Sequence, residues 1–110
     1  MNVVILETSG CYKLKQDKQR EINKAIDKLS YLIKTMDNFS SFVINNPAIH
    51  DAYEDFYVYK YIGRKCSIRL LYRYSNSKLE IHLCHFKKGD RDNSKYIEIF
   101  EEYANNYYRR

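Results

Sequence analysis

The sequence predicts an α+β domain in which an N-terminal strand and a long helix pack on an antiparallel sheet, followed by a second helix. Three observations carry this prediction. Apolar residues recur every three or four positions over residues 22–36, strand-forming runs follow residue 55, and only short segments separate those runs. A chain of 110 residues is the size of one domain, so we treat residues 1–110 as a single domain.

The first two predicted elements are a short strand and a long helix. Residues 2–7 (NVVILE) are rich in β-branched side chains and precede the turn-forming sequence TSG. Over about residues 15–37, the apolar side chains fall on one helical face and the charged side chains on the other. A break near Ser30, which would make a helical hairpin, is the alternative.

A loop, three strands and a helix are predicted for the rest of the chain. Residues 40–55 contain the only proline and are expected to connect the helix to the sheet. The three strands are predicted at residues 56–62, 66–74 and 78–87, and their short links require antiparallel hairpins, which form a meander. The final helix is capped by Asp92, Asn93 or Ser94, and its apolar stripe comprises Tyr96, Phe100, Tyr103 and Tyr107. We expect both helices on one face of the sheet, leaving the other face open.

The charge distribution and the cysteines narrow the class of protein. The net charge is +5, and residues 60–110 hold 12 Lys and Arg against 6 Asp and Glu, whereas residues 1–59 hold 7 against 8. This excess indicates a polyanion or an acidic protein as partner, and simple solubility is the alternative. An apolar fraction of 45% excludes a disordered chain. Three widely spaced cysteines, with no signal peptide or apolar transmembrane run, predict a reduced cytoplasmic protein that makes no membrane contact.

Strand alternation predicts a cationic surface on the open face of the sheet. Arg69 and Arg73 alternate with apolar neighbours, and His82 of the last strand falls on the same face, with Lys60 nearby. Lys87 and the residue after it lie at the end of that strand. Such a surface suits a phosphodiester.

The stretch HLCHFKKGD (82–90) combines two histidines, a cysteine and a lysine pair. By alternation His85 points away from His82 and Cys84, so we expect no metal site and no cofactor. Cys84 is expected to be a small buried side chain, and Glu80 is an isolated carboxylate. Each histidine is either a general acid or base or an ordinary half-buried strand residue.

Two segments together resemble a known family. YKYIGRKCSIRLLYRY (59–74), followed by KLEIHLCHFKKGDRDN (78–93), resembles the RelE/ParE superfamily of type II toxins, including its HigB-like branch. The resemblance covers residues 56–95, and the preceding strand and helix agree in order. It implies a RelE-like fold and an acidic cognate antitoxin that binds and neutralises the toxin. RelE- and HigB-like members cut mRNA on the ribosome, whereas ParE-like members inhibit DNA gyrase.

The resemblance also implies roles for individual residues. Lys60 and Arg69 match basic residues of the first and middle meander strands, and Lys88 matches the second basic residue after the last strand. Tyr96 is the nearest match in the sequence to the residue that supplies the family's aromatic hydroxyl. His82 or His85 matches the histidine that other members carry near the end of the last strand. With Arg73 added from strand alternation, the expected catalytic residues are Lys60, Arg69, Arg73, His82, His85, Lys88 and Tyr96. The expected nucleic-acid contacts are Lys18, Lys24, Lys28, Arg64, Lys65, Lys87 and Arg91, although the helix lysines are equally consistent with a solvated face.

We therefore expect a ribosome-dependent mRNA endonuclease, with the ribosome, mRNA and an antitoxin as partners. The ribose 2′-hydroxyl would attack the adjacent phosphorus without a metal, assisted by an acid, a base and cations. The alternatives are a gyrase inhibitor and a small basic nucleic-acid-binding module that has no catalytic activity.

Overall fold

A computed structural model describes residues 1–11, 14–35, 39, 49–53, 55–64, 66–87 and 93–108, of which residues 8, 49–53, 93, 94 and 108 are described by their backbone. The described residues form five strands and two long helices. The strands are β1 (Asn2–Ile5), β2 (Ile49–Tyr53), β3 (Phe56–Ile62), β4 (Ser67–Ser75) and β5 (Lys78–Lys87). The helices are α1 (Gln16–Thr35) and α2 (Asn93–Tyr108), and a short 3-10 helix (Glu7–Ser9) follows β1.

The strands form one mixed sheet in the order β1-β5-β4-β3-β2. β3, β4 and β5 make the predicted antiparallel meander, and Asn76 and Ser77 link β4 to β5 with φ angles of 50° and 59°. Positive φ at both residues of a two-residue loop is the geometry that matches the twist of a hairpin. β1 runs parallel to β5, with Val3 opposite Leu79, so the prediction of a fully antiparallel sheet is wrong. The long connection that contains α1 lets β1 lie beside β5 in the same direction.

β2 lies in the region that the sequence predicts to be a loop. Residues Ile49–Tyr53 pair with β3 in antiparallel register, so the loop prediction for residues 40–55 is wrong at these positions. The strand is at the edge of the sheet, and IHDAY has few of the residues that favour a strand by themselves. Pairing with β3 therefore supplies the order that local sequence preference does not.

α1 packs on one face of the sheet through the predicted apolar stripe. The helix continues through the buried residue Ser30, so the alternative of a break at that position is wrong. Asp17 in its first turn and Lys34 in its last turn complement the helix dipole. The buried residues that α1 contributes to this core are Ile22, Ala25, Ile26, Leu29 and Ile33. They pack with Tyr59, Ile68, Leu70, Tyr72, Leu79 and Ile81 of the sheet.

α2 covers the opposite face of the sheet, which the sequence analysis leaves open. A second core joins Phe56, Val58 and Leu71 of the sheet to Tyr96, Phe100 and Ala104 of α2. The prediction that both helices share one face is therefore wrong. An open face would expose these sheet residues, and burial of each large apolar side chain is worth about 1.5–3 kcal/mol. The hydrophobic residues on both faces of β3 and β4 thus require two covering layers.

Candidate functional site

A bulge in β5 decides which side chains face α2. The neighbouring residues Leu71 and Tyr72 of β4 pair with residues 83 and 81 of β5, which leaves His82 as an extra residue. An extra residue shifts the alternation of every position that follows it. His82 and His85 therefore both lie on the α2 face, and the prediction that they point in opposite directions is wrong.

The same shift moves Cys84 and Phe86 to the other side of the sheet. Simple alternation groups both residues with His82, but they pack against the core under α1. Because of the bulge, the side chain that shares the α2 face with His82 is the imidazole of His85 and not the thiol of Cys84. It changes the chemical character of the surface beneath α2.

Three basic side chains form a row across the sheet on the α2 face, which we call the basic row: Lys60, Arg69 and His85. Lys60 of β3 lies opposite Arg69 of β4, and Arg69 lies opposite His85 of β5. Directly opposite residues of antiparallel strands point to the same face, with Cβ atoms about 4.5–5.5 Å apart. The ring centroid of Tyr96 lies 5.6 Å from the guanidinium carbon of Arg69 and 5.9 Å from the ring centroid of His85. Four of the predicted catalytic residues therefore come together.

Arg69 carries a buried charge without a carboxylate partner among the described residues. The residue is only 5% exposed. Its Nη1 donates hydrogen bonds to Ser67 Oγ at 2.9 Å and to the Ile68 carbonyl oxygen at 3.2 Å, while its buried Nε has no partner in the described part of the chain. Within the described residues, no Asp or Glu forms an ion pair with it. A buried cation without an anion is unfavourable, so this position favours an anionic ligand.

Glu80 is the centre of a second cluster on the same face. Its carboxylate oxygens lie 3.7 Å from Nη1 of Arg73 and 3.3 Å from Nζ of Lys78. Nη2 of Arg73 lies 3.8 Å from a carboxylate oxygen of Asp55, and its Nη1 donates a hydrogen bond of 2.9 Å to the Tyr107 hydroxyl of α2. The charge of Arg73 is therefore neutralised within the fold, and Glu80 is not the isolated carboxylate that the sequence suggests.

His82 also belongs to this second cluster. It is only 1% exposed, and its Nε2 lies 3.2 Å from Oε1 of Glu80 and its Nδ1 3.0 Å from the Tyr103 hydroxyl. A carboxylate only accepts hydrogen bonds, so Nε2 carries the proton and Nδ1 accepts from the tyrosine. Burial lowers the pKa of His82, although the hydrogen bond and charge of Glu80 oppose that change. His82 is thus a satisfied core histidine, and His85 is the imidazole in the basic row.

Among the predicted nucleic-acid contacts that the structure describes, the lysines of α1 do not share a surface with the basic row. Lys18, Lys24 and Lys28 are exposed on α1, which covers the other face of the sheet. Arg64 is exposed between β3 and β4, and Lys87 is half-buried at the end of β5. The predicted site residues outside the described part of the chain are Lys65, Lys88 and Arg91.

A cleft of about 490 Å³ lies between α1 and the ends of β4 and β5. Its charged lining residues are Asp17, Lys18, Arg20, Glu21, Lys24 and Lys87, joined by Cys66 and Phe86. Nζ of Lys18 lies 5.4 Å from the ring centroid of Phe86, and Nζ of Lys24 lies 3.2 Å from Oε1 of Glu21. Cations outnumber carboxylates in this lining, so the cleft favours an anionic ligand.

Sequence reasoning missed Glu80, Tyr103 and Tyr107 of the second cluster, although signals for these three were present. The two-residue turn at positions 76 and 77 fixes the register of the hairpin and so places Arg73 opposite Glu80. Opposite charges at such paired positions predict an ion pair. Tyr103 and Tyr107 share a helical stripe with Tyr96, and a buried tyrosine needs a partner for its hydroxyl. The bulge itself has no comparable local signal.

Further comparisons add no assignment to this site. Within the described ranges, no group of three or more His, Cys, Asp or Glu side chains is placed to hold a metal ion. Neither long helix in that part of the chain has the length and apolar character needed to cross a membrane. No protein-family model, curated protein or solved structure matches the chain.

Proposed function

We propose that this chain is a ribosome-dependent mRNA endonuclease, the toxin of a type II toxin–antitoxin pair with a RelE-like fold. The observation that carries the proposal is the basic row, in which Lys60, Arg69 and His85 are in register beneath Tyr96. Metal-independent cleavage of RNA needs a group that exchanges protons beside cations that stabilise a charged phosphorane. The basic row brings both kinds of group to one surface.

In the proposed reaction the ribose 2′-oxygen attacks the adjacent phosphorus and the bond to the 5′-oxygen breaks. The products are a 2′,3′-cyclic phosphate and a 5′-hydroxyl end. His85 transfers a proton at the 2′- or the 5′-oxygen, because histidine exchanges protons most readily near neutral pH. Arg69 and Lys60 stabilise the negative charge that develops on the phosphoryl oxygens.

Access to Arg69 depends on Tyr96. The guanidinium is buried beneath the tyrosine ring, so a phosphate can contact it only when this ring moves aside. A displaced Tyr96 could then stack on a base, as aromatic side chains commonly do in single-stranded nucleic-acid sites. The lack of a carboxylate beside Arg69 among the described residues, in contrast to Arg73, supports the view that the site is completed by an anion.

A cleavage assay on ribosomes programmed with a defined mRNA tests the proposal. The wild-type chain should cut the transcript only when ribosomes are present, leaving cyclic phosphate and 5′-hydroxyl ends. Lys60→Ala should slow cleavage, whereas Lys34→Ala, which removes an exposed cation from the last turn of α1, should not. Intact transcripts, together with normal growth of cells that express the chain without an antitoxin, would contradict the proposal.

The proposed protein partner is an acidic antitoxin. The net charge of +5 and the basic second half of the chain support an acidic partner. Co-expression of a small acidic protein encoded in the adjacent reading frame should restore growth and form a salt-sensitive complex. Failure of such a neighbour to bind or to restore growth would argue against the toxin assignment.

A second candidate function is a basic nucleic-acid-binding module without catalysis. The cleft beside α1 favours it, because Lys18, Arg20 and Lys24 are exposed there while Arg69 is buried. Such a module would bind single-stranded RNA with strong salt dependence and leave it uncut.

A gyrase inhibitor is distinguished by toxicity that survives the double variant His85→Ala, Lys88→Ala and is accompanied by DNA-damage signalling.

A further inference from the structure

Two of the three cysteines meet between the 3-10 helix and β5. Sγ of Cys11 lies 3.0 Å from Sγ of Cys84, and Cys11 is buried while Cys84 is half-buried. Ser9 holds both residues, since its Oγ accepts a hydrogen bond from the Cys11 backbone N–H at 3.2 Å. Its carbonyl oxygen accepts one from the Cys84 thiol at 3.3 Å. The two thiols are therefore fixed in direct contact.

The backbone keeps these thiols together although they are far apart in sequence. β1 pairs with β5, and the Leu6 N–H donates a hydrogen bond of 3.0 Å to the carbonyl oxygen of Ile81. Gly10 then turns the chain with a φ of 74°, a conformation that glycine adopts without strain, and brings Cys11 over β5. The bulge in β5 completes the contact by placing Cys84 on the same side as Cys11.

We propose that Cys11 and Cys84 are a redox-active dithiol that forms an intramolecular disulfide when the protein meets a peroxide. A disulfide needs the sulfur atoms to approach to about 2.05 Å, a movement of about 1 Å from their present contact. Cys66 makes a different contact, in which its Sγ lies 3.6 Å from Oε2 of Glu21. This modification site is independent of the proposed RNA cleavage.

The environment makes Cys11 the attacking thiol. The contact with Cys84 lowers the pKa of Cys11, against the opposing effect of burial, and Ser9 contributes in the same direction. The pKa of Cys84 is raised by its non-covalent contact with Cys11 and by burial. A thiolate at position 11 beside a protonated thiol at position 84 is the arrangement that a two-step oxidation requires.

The reaction balances with hydrogen peroxide as the oxidant. The Cys11 thiolate attacks one peroxide oxygen, the O–O bond breaks, and the departing hydroxide takes up a proton to become water. The resulting sulfenic acid is then attacked by the sulfur of Cys84, and a second water leaves as the S–S bond forms. Two thiols and one peroxide thus give one disulfide and two waters.

Peptide mapping of the full chain after peroxide treatment tests this proposal directly. The reduced wild-type protein should lose two hydrogen atoms and yield a cross-linked peptide pair containing Cys11 and Cys84, which dithiothreitol separates. Cys66→Ser should behave as wild type and serves as the matched control. Cys11→Ser and Cys84→Ser should each show no internal cross-link.

Other outcomes overturn the proposal. Oxidation of Cys11 to a stable sulfenic or sulfinic acid without a cross-link, or a bond that involves Cys66, would show that the contact is not a redox pair. Mapping needs only the wild-type chain, so the result does not depend on whether a variant folds. Cross-linking should also speed up as the pH rises and the Cys11 thiol ionises, and a rate independent of pH would equally count against it.

Discussion

Arg69 and His85 lie directly opposite each other on neighbouring strands because β5 contains one extra residue, His82. The pairing of Arg73 with Glu80, continued without the bulge, would place Cys84 opposite Arg69 and turn His85 to the α1 side. The bulge therefore creates the basic row and, on the other face, the contact between Cys84 and Cys11. One inserted residue produces both chemical features of the sheet.

His85→Ala should lower the rate of ribosome-dependent RNA cleavage by about 100-fold or more, the usual effect of losing a general acid or base. The fold should survive, because His85 is only half-buried and lies outside the cluster around Glu80. Single-turnover cleavage and thermal unfolding of the same preparation measure both effects. Cleavage at the wild-type rate by His85→Ala would remove this histidine from the mechanism.

Arg69→Met should leave the free energy of unfolding unchanged or raise it, while lowering cleavage by about 100- to 1000-fold. The substitution removes a buried cation that has no carboxylate partner within the described ranges and puts a long apolar side chain in its place.

The matched control is Arg73→Met, which separates Arg73 from Glu80 and Tyr107 and should cost about 1–3 kcal/mol of stability. Urea unfolding measures both variants. A larger loss of stability for Arg69→Met than for Arg73→Met would make Arg69 a structural residue.

Stability should fall as the pH drops, in a manner that depends on His82. Burial lowers the pKa of His82 below its ordinary value of 6.5, so the unfolded chain binds the proton more readily. The contribution of neutral His82 to the free energy of unfolding is therefore complete above about pH 6.5. It is lost as the pH falls through the lower pKa that His82 has in the folded state.

Glu80 extends the loss of stability to more acidic pH. Its burial favours a higher pKa, but hydrogen bonds from His82 and Lys78 and the charge of Arg73 outweigh burial and lower it from 4.5. His82→Phe should flatten the dependence near neutral pH in urea unfolding measured across the pH range, and an unchanged slope would contradict the assignment. Glu80→Gln provides the second arm, since it should flatten the more acidic part.

Phe100→Ala should destabilise the protein by about 3–5 kcal/mol, because it leaves a cavity between α2 and the sheet. The matched control is Ile99→Ala, since Ile99 is 43% exposed on the same helix and should change stability by less than about 0.5 kcal/mol. Thermal and urea unfolding measure the difference. Equal effects of the two substitutions would show that α2 does not cover the sheet as described.

Much of the fold could be predicted because it follows from local sequence. The apolar spacing of Ile22, Ala25 and Leu29 gives α1, and strand-forming runs with short links give the meander. Of the candidate site, the residue types of the basic row and Tyr96 were predicted. The shared face of Lys60 and Arg69 was predicted too, but the place of His85 beside them was not, because alternation assigns His85 to the wrong face once a strand contains a bulge.

The sequence by itself determined the elements other than β2, the hairpin turn at Asn76 and Ser77, the basic second half of the chain and the identity of the candidate cations, since each depends on neighbouring residues or composition. Only the tertiary structure decided that β1 runs parallel to β5, that α2 covers the second face, and that His85 rather than His82 joins Arg69. These features arise from pairing and burial between segments far apart in the chain. Their free energy depends on contacts between distant segments, and a local pattern of residues does not indicate which of these contacts form.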